Sequence, residues 1–442
     1  MQRYSQVRCA LTAVWILLPV ASWGQAASPV AVPDLTQPTF AEEKLSVLER
    51  TRPEYDPVGY RFGPYTVLPS LEIGETLDSN ILGSQTFERS DFVTTVKPAI
   101  SVQSDWPTNA ASFYAQGDVR QYARYSSENV GNMVVRGDGR LDIERGQTLS
   151  LEAGYQILHE DRYSPESQAA AGFAGAGDYA KYPTEYSLTT GRLNYVYSPS
   201  RLGFEIQASV DKFQYSNEPT LNGDGLVINS DRSRAEFSLA PRVSYELTPG
   251  YQAFFEAIGN RRQYDTTFDA SPDHLKRSSS GYAFAGGTQI NLGDFLSAQG
   301  YLGFQNQDYD DARLGSNSGV YFGASVLWNI TTLTSIRFQA SRSIQETILA
   351  DSSGFWDTQV KVSVEHELLR NILLTAGVAY DLAQYKGISR EDSLASGRLG
   401  VRWALTQVYS LEGTAEIQHR FSNQVNNSFT RALIAVNLKA SF

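Results

Sequence analysis

The stretch Glu236-Phe-Ser-Leu-Ala-Pro-Arg-Val-Ser-Tyr-Glu-Leu247 decides the fold. Phe237, Leu239, Pro241, Val243, Tyr245 and Leu247 fall on one face, and Glu236, Ser238, Ala240, Arg242, Ser244 and Glu246 on the other. Successive side chains of a strand point to opposite faces, so this is a strand with one apolar side and one wet side. The split recurs at Phe204, Ile206, Ala208 and Val210 against Glu205, Gln207, Ser209 and Asp211. It recurs at Val360, Val362 and Val364 against Lys361, Ser363 and Glu365, and at Leu411, Gly413, Ala415 and Ile417 against Glu412, Thr414, Glu416 and Gln418. A soluble sandwich also alternates, but charges repeated at mid-strand call for a water-filled second side.

The breaks between these runs come in two lengths. Short ones fall at 105–109, 145–147, 198–200, 248–250, 293–294, 329–332, 369–371 and 405–407. Longer ones, 78–90, 161–183, 216–229, 265–276 and 308–316, lie between them. Short periplasmic turns and longer extracellular loops are what an outer-membrane barrel shows. The expected fold is therefore all-β: a transmembrane antiparallel up-and-down β-barrel over residues 66–442. Counting runs gives about eighteen strands, with sixteen as the alternative. Their starts fall near Thr66, Asp91, Ala110, Val130, Thr148, Thr184, Leu202, Ser230, Tyr251, Arg277, Phe295, Asn317, Leu333, Phe355, Ile372, Glu391, Val408 and Asn427.

Composition agrees. The chain has 442 residues, a net charge of −11, 25 Tyr and 21 Phe. Its mean hydropathy of −0.31 is too low for a helical membrane protein. A barrel hides its lipid-facing signal, because alternate residues face water. The acidic balance excludes a nucleic-acid partner, which phosphate binding would require to be basic.

The N-terminus reads as a secretory signal peptide over residues 1–26, with Arg3 and Arg8, an apolar core from Ala13 to Val20, and a small-residue cleavage site at Gly24-Gln25-Ala26. Cys9, the one cysteine, leaves with it, so no disulfide is expected. Residues 27–65 read as a periplasmic, Pro-rich N-terminal segment carrying Pro29, Pro33, Pro38, Pro53, Pro57 and Pro64. At the other end Phe442 closes a strand whose Thr430, Ala432, Ile434, Val436, Leu438 and Ala440 share its face. A terminal aromatic there resembles the signal read by the barrel-assembly machinery. Trp106, Tyr195, Tyr197, Tyr251, Trp328, Trp356, Trp403 and Tyr409 stand near strand ends, placed for interfacial girdles against outer-membrane lipid.

Candidate chemistry is sparse. Four histidines, His159, His274, His366 and His419, show no metal-ligand spacing. In Glu365-His366-Glu367 the strand period turns the imidazole away from both carboxylates. Neither a nucleophile elbow nor a phosphate loop is present. No cofactor and no enzyme activity are expected. The residues assigned to the lumen are Glu152, Glu205, Asp211, Arg234, Glu236, Arg242, Glu246, Lys361, Glu365, Arg398, Arg402, Glu412 and Glu416. Facing charges of both signs suit water and neutral or weakly anionic sugars, or simply pair across a wet wall. The Ala/Gly-rich stretch 167–177 is long enough to fold inward as a constriction or outward.

One segment carries a family resemblance. Arg52, Pro53, Tyr55, Asp56, Pro57, Gly59, Arg61 and Gly63, followed by an apolar strand and then Asp78, Asn80 and Ile81, resemble the signature of an outer-membrane beta-barrel porin family found beside exopolysaccharide synthesis genes. The resemblance implies export of a capsular polysaccharide or exopolysaccharide across the outer membrane of a Gram-negative bacterium. Pro53 and Pro57 stiffen the segment and Gly59 and Gly63 let it bend tightly, so it is expected to plug or thread the barrel mouth, or to dock a periplasmic polysaccharide-export protein. A general diffusion porin or small-solute channel is the alternative.

Overall fold

The computed structural model describes residues 45–167, 179–223 and 225–442. The expected leader over 1–26, the beginning of the Pro-rich segment, and most of the 167–177 stretch lie outside the described residues.

Eighteen strands close into a barrel. In chain order they are β1 Tyr65–Asp78, β2 Asp91–Ser104, β3 Ala110–Tyr122, β4 Val130–Glu144, β5 Gln147–His159 and β6 Glu185–Tyr197. Then follow β7 Leu202–Tyr215, β8 Arg234–Thr248, β9 Tyr251–Tyr264, β10 Ser279–Leu292, β11 Leu296–Tyr309 and β12 Ser316–Thr331. The last six are β13 Thr334–Gln345, β14 Phe355–Leu369, β15 Ile372–Tyr385, β16 Glu391–Ala404, β17 Tyr409–Ser422 and β18 Phe429–Ser441. Each pairs antiparallel with its sequence neighbours, and β18 closes on β1 from Ser70↔Ser441 to Asp78↔Leu433. The Phe442 amide donates to Pro69 O at 3.0 Å, so the terminal residue is tied to the first strand. Among the described residues no helix is long and apolar enough to cross a membrane.

The strand starts fall close to the expected ones. The largest departure is β8, which begins at Arg234 and not Ser230, because Ser230–Arg232 turns as a 3-10 helix first. Pro241 and Pro98 leave visible marks. A proline has no N–H to donate to a ladder. The β8–β9 pairing skips from Leu239↔Gly259 to Arg242↔Glu256, and the β2–β3 pairing from Val96↔Val119 to Ala99↔Gln116. In each case the other neighbour pairs without a break.

The outer surface is an apolar belt. Leu302 is 64% exposed, Leu399 63% and Ile434 58%. Such an exposed apolar girdle makes sense only against lipid. Trp106, Tyr251, Trp328, Trp403 and Tyr409 are exposed near its short-turn edge. Trp356 departs from the expected girdle: it is 8% exposed, sealed between the Arg342 guanidinium, 4.9 Å from its ring, and the backbone of Gly319.

Inside, large rings rest on glycines of neighbouring strands. A Cβ on Gly323 would come within 2.5 Å of the Tyr301 ring, and one on Gly287 within 2.4 Å of Phe254. With Ala240, Ile258, Ala283, Ala285 and Tyr321 these rings form a compact apolar cluster on the inner wall.

Candidate functional site

The strand period fixes the inner wall. All thirteen residues assigned to the lumen lie on the strand faces opposite the exposed apolar residues. His366 faces outward, its ring nitrogen 3.0 Å from Thr334 Oγ1, while Glu365 and Glu367 face in. Among the described residues no cluster of His, Cys, Asp and Glu is arranged to hold a metal ion.

Many of the wall charges stand in ion pairs. Glu152 takes Arg192 at 2.7 Å and Arg136 at 3.2 Å, and Arg192 also lies 3.7 Å from Asp211. Arg242 sits between Glu256 at 2.7 Å and Glu205 at 3.7 Å. Arg234 binds Glu236 at 2.7 Å, and Glu236 lies 3.5 Å from Arg262. Arg398 faces Glu416 and Arg402 faces Glu412 at 4.0 and 3.7 Å. The sequence assignment missed Arg136, Arg192, Glu256 and Arg262, although the same alternation that found their partners covers them. By contrast β10, β11 and β12 turn no charged side chain inward. Their inner faces carry Gln289, Gln299, Gln305, Gln307, Asn317, Tyr301 and Tyr321. The wall offers hydrogen bonds beside paired charges.

The short-turn mouth is occupied by the N-terminal segment. The Val47 amide donates to Ser335 Oγ at 2.8 Å, and the Leu48 amide to Glu365 at 3.2 Å. Glu49 pairs with Arg337 at 3.0 Å, and Asn329 Nδ2 donates to Leu45 O at 3.3 Å. Arg52 is buried and binds Glu367 at 2.8 Å, with its Nη2 also donating to Val47 O at 2.6 Å. The rest of the motif shapes this strap. The amides of Tyr55 and Asp56 both donate to Arg52 O at 2.7 Å, and the Asp56 carboxylate accepts from the Arg52 amide. Gln407 Nε2 reaches Pro53 O at 2.7 Å. Pro57 leads into Gly59, which has a φ of +73° and where a Cβ would stand 2.8 Å from the Leu68 side chain. Tyr60–Phe62 then pairs with the foot of β1 through a turn in which Gly63 has φ +59°. Arg61 pairs with Asp105 on the exposed rim. The last residues of the Pro-rich segment thus form a strap and a short strand, Tyr60–Phe62.

Loops reach over the long-loop mouth from two sides. The β5–β6 loop reaches across it: Arg420 donates to Tyr163 O at 2.6 Å, Arg431 to Tyr163 Oη at 3.1 Å, and Phe429 packs 5.0 Å from the Tyr163 ring. Glu160 of this loop is held by Arg232 of the β7–β8 loop, and both are buried. The β13–β14 loop comes from the other side. Its Thr347 Oγ1 and Ile348 amide donate to Glu166 at 3.1 and 3.3 Å. Burial pushes the Glu166 carboxyl above its usual range, against the pull of Arg232 and those two donors. No local sequence pattern marks these loop contacts, since they join residues up to 268 positions apart.

The family model described as "Putative beta-barrel porin 2" matches residues 52–442. No curated protein matches the chain. Similar solved structures include the outer membrane protein OpdK of Pseudomonas aeruginosa, at 11% identity, covering 85% of this chain and 99% of that one, with a TM-score of 0.43. The ferric enterobactin receptor PfeA of the same organism is similar at 8% identity, covering 85% and 80%, with a TM-score of 0.45. OccAB3 of Acinetobacter baumannii is similar at 11% identity, covering 86% and 100%, with a TM-score of 0.44. An apolar belt around a closed barrel, matched by a porin family, places the chain in the outer membrane as a channel.

Proposed function

The chain belongs to the beta-barrel porin 2 family, and from that premise we propose that it is the outer-membrane conduit of a Gram-negative bacterium for an exopolysaccharide or capsular polysaccharide, working with a periplasmic export partner. The observation that carries this reading is the paired charge of the inner wall: Arg192 is shared by Glu152 and Asp211, and Arg242 by Glu205 and Glu256, so no carboxylate of these two groups stands without a cation and each group keeps a single net negative charge. Such a wall exchanges hydrogen bonds with hydroxyl-rich chains without trapping them by charge. The strap and the loops support a conduit that rests closed, which an export channel needs and a permanently open sieve does not.

The strap also suggests where a partner acts. Arg52 is spent on Glu367 inside the mouth, so the partner is expected to engage the exposed Pro53, Glu54 and Arg61 rim and draw the strap out. The test is deletion of the gene, with surface polysaccharide measured by staining and sedimentation. Loss of the polymer, restored by the wild-type gene, supports export. Unchanged polymer, with a large steady ionic current through the purified barrel, would establish a diffusion porin instead.

A further inference from the structure

One seam of the barrel is unfinished. The β12–β13 ladder stops at Phe322↔Arg342, yet β12 runs on to Ser316 and pairs there with β11 alone. Above Arg342, the tip of the β13–β14 hairpin has left the wall. Ile344 and Trp356 carry the parity of the lipid-facing residues Val360 and Val364, but both are buried. The Trp356 ring lies against the inward side of Gly319, 2.9 Å from where a Cβ would stand, and the Ile344 amide donates to the inward-facing Gln305 at 3.1 Å. The tip is therefore tucked behind β11 and β12, and the wall is two layers deep there.

A latch holds it. Glu346 accepts from Arg262, from Tyr264 Oη at 2.9 Å and from Tyr309 Oη at 3.2 Å. Arg277, held by Asp269 at 2.6 Å, donates to the carbonyls of Thr347, Ile348, Leu349 and Ser352 at 2.7 to 3.2 Å. The same tip carries Thr347 and Ile348 to Glu166, so it also anchors the loop that crosses the mouth.

We propose that the β13–β14 tip is the gate of the outer mouth: it swings out to complete the β12–β13 seam when the channel opens. Continuing the existing register upward sets Tyr321 opposite Ser343, Val320 opposite Ile344 and Gly319 opposite Gln345. In that position Ile344 and Trp356 would join Val320 on the lipid-facing surface, where their alternation already assigns them. The free edge of β12 would gain its missing ladder partners, as a strand edge requires. The swing would remove Glu346, Thr347 and Ile348 from the lumen and free Glu166. The inference rests on the channel reading, not on the nature of the cargo.

Cysteine pairs read the two states, since the one native cysteine, Cys9, lies in the expected leader. The double variant Val320→Cys with Ile344→Cys is the open-state trap, because residues opposite one another in an antiparallel pair bring their Cβ atoms to about 4.5–5.5 Å. Oxidation in membranes is expected to form the disulfide and to raise single-channel current in planar bilayers, with reduction reversing both. Glu346→Gln, which keeps the side chain's volume, is expected to raise the open fraction roughly tenfold by weakening a buried charge pair. Heat-modifiable migration verifies that each variant is a folded barrel. A folded trap that never forms its disulfide, or one that forms it without a change in current, overturns the proposal. The readout is ionic current, so a negative polysaccharide assay leaves this gate standing and a missing gate leaves export standing.

Discussion

The two mouths of the barrel are closed by opposite means. At the short-turn end one continuous strap enters the lumen and is held by bonds from its backbone amides and three ion pairs, Arg52–Glu367 buried, Glu49–Arg337 partly so and Glu54–Arg370 exposed. At the long-loop end four loops interlock through many buried charges, among them Glu160–Arg232, Asp269–Arg277 and Glu346–Arg262. The strap is a single thread attached at a few points and can be drawn out from the periplasm in one piece. The loop lid is a network in which each buried charge depends on its partner, so it opens cooperatively or not at all.

The largest expected break is at the lid. Arg277→Ala leaves Asp269 buried without its cation and four carbonyls without their donor, and should cost about 3–5 kcal/mol of lid stability. Limited proteolysis of the 346–354 loop in intact membranes is expected to accelerate strongly while the barrel itself stays resistant. An unchanged cleavage rate would show the lid to be held elsewhere.

The strap comes next. Arg52→Glu sets two carboxylates face to face with Glu367 and should expel the strap, raising basal current several-fold and hydrogen exchange over residues 45–52. Adding Glu367→Arg restores an ion pair of reversed polarity, and is expected to return both readouts most of the way. Failure of the swap to rescue would mean that Arg52 acts through something other than Glu367.

A smaller effect follows pH. The Glu166 carboxyl is raised in the docked loop, chiefly by burial, beside Arg232, Glu160 and the Thr347 and Ile348 donors. A raised acid favours the docked state below its free-loop pKa, about 4.3 for an ordinary glutamate, and that contribution is lost as pH rises through the docked value. Acidification is therefore expected to lower the open fraction in bilayer recordings. Glu166→Gln, neutral at every pH, should flatten that response; an undiminished pH response would assign it to another group.

The smallest effect is expected at the rim. Arg61 and Asp105 are paired but exposed, so Arg61→Ala should change thermal stability by less than about 1 kcal/mol and leave current unaltered. A change as large as that from Arg52→Glu would move the strap's anchor from the lumen to the rim.

Much of this was legible in the chain. Period-two alternation across Glu236 to Leu247 placed Arg242 and Glu246 on the inner face, and the same rule turned His366 outward. It works because the pleat alternates with no reference to distant residues. It erred at Trp356, whose alternation says lipid while its surroundings say interior, because the strand there leaves the wall as a unit and keeps its own parity. The proline-rich motif was recognisable as a signature, but its task of pinning Arg52 onto Glu367, 315 residues away, was not.

Strand number, turn asymmetry and the division of side chains between lipid and water were set by the sequence itself, since each depends on neighbours one or two positions apart. How the two mouths close was decided by tertiary structure alone. Those closures join Tyr163 to Arg420, Arg52 to Glu367 and Arg262 to Glu346, and only the ring of eighteen strands brings such residues within a hydrogen bond of one another.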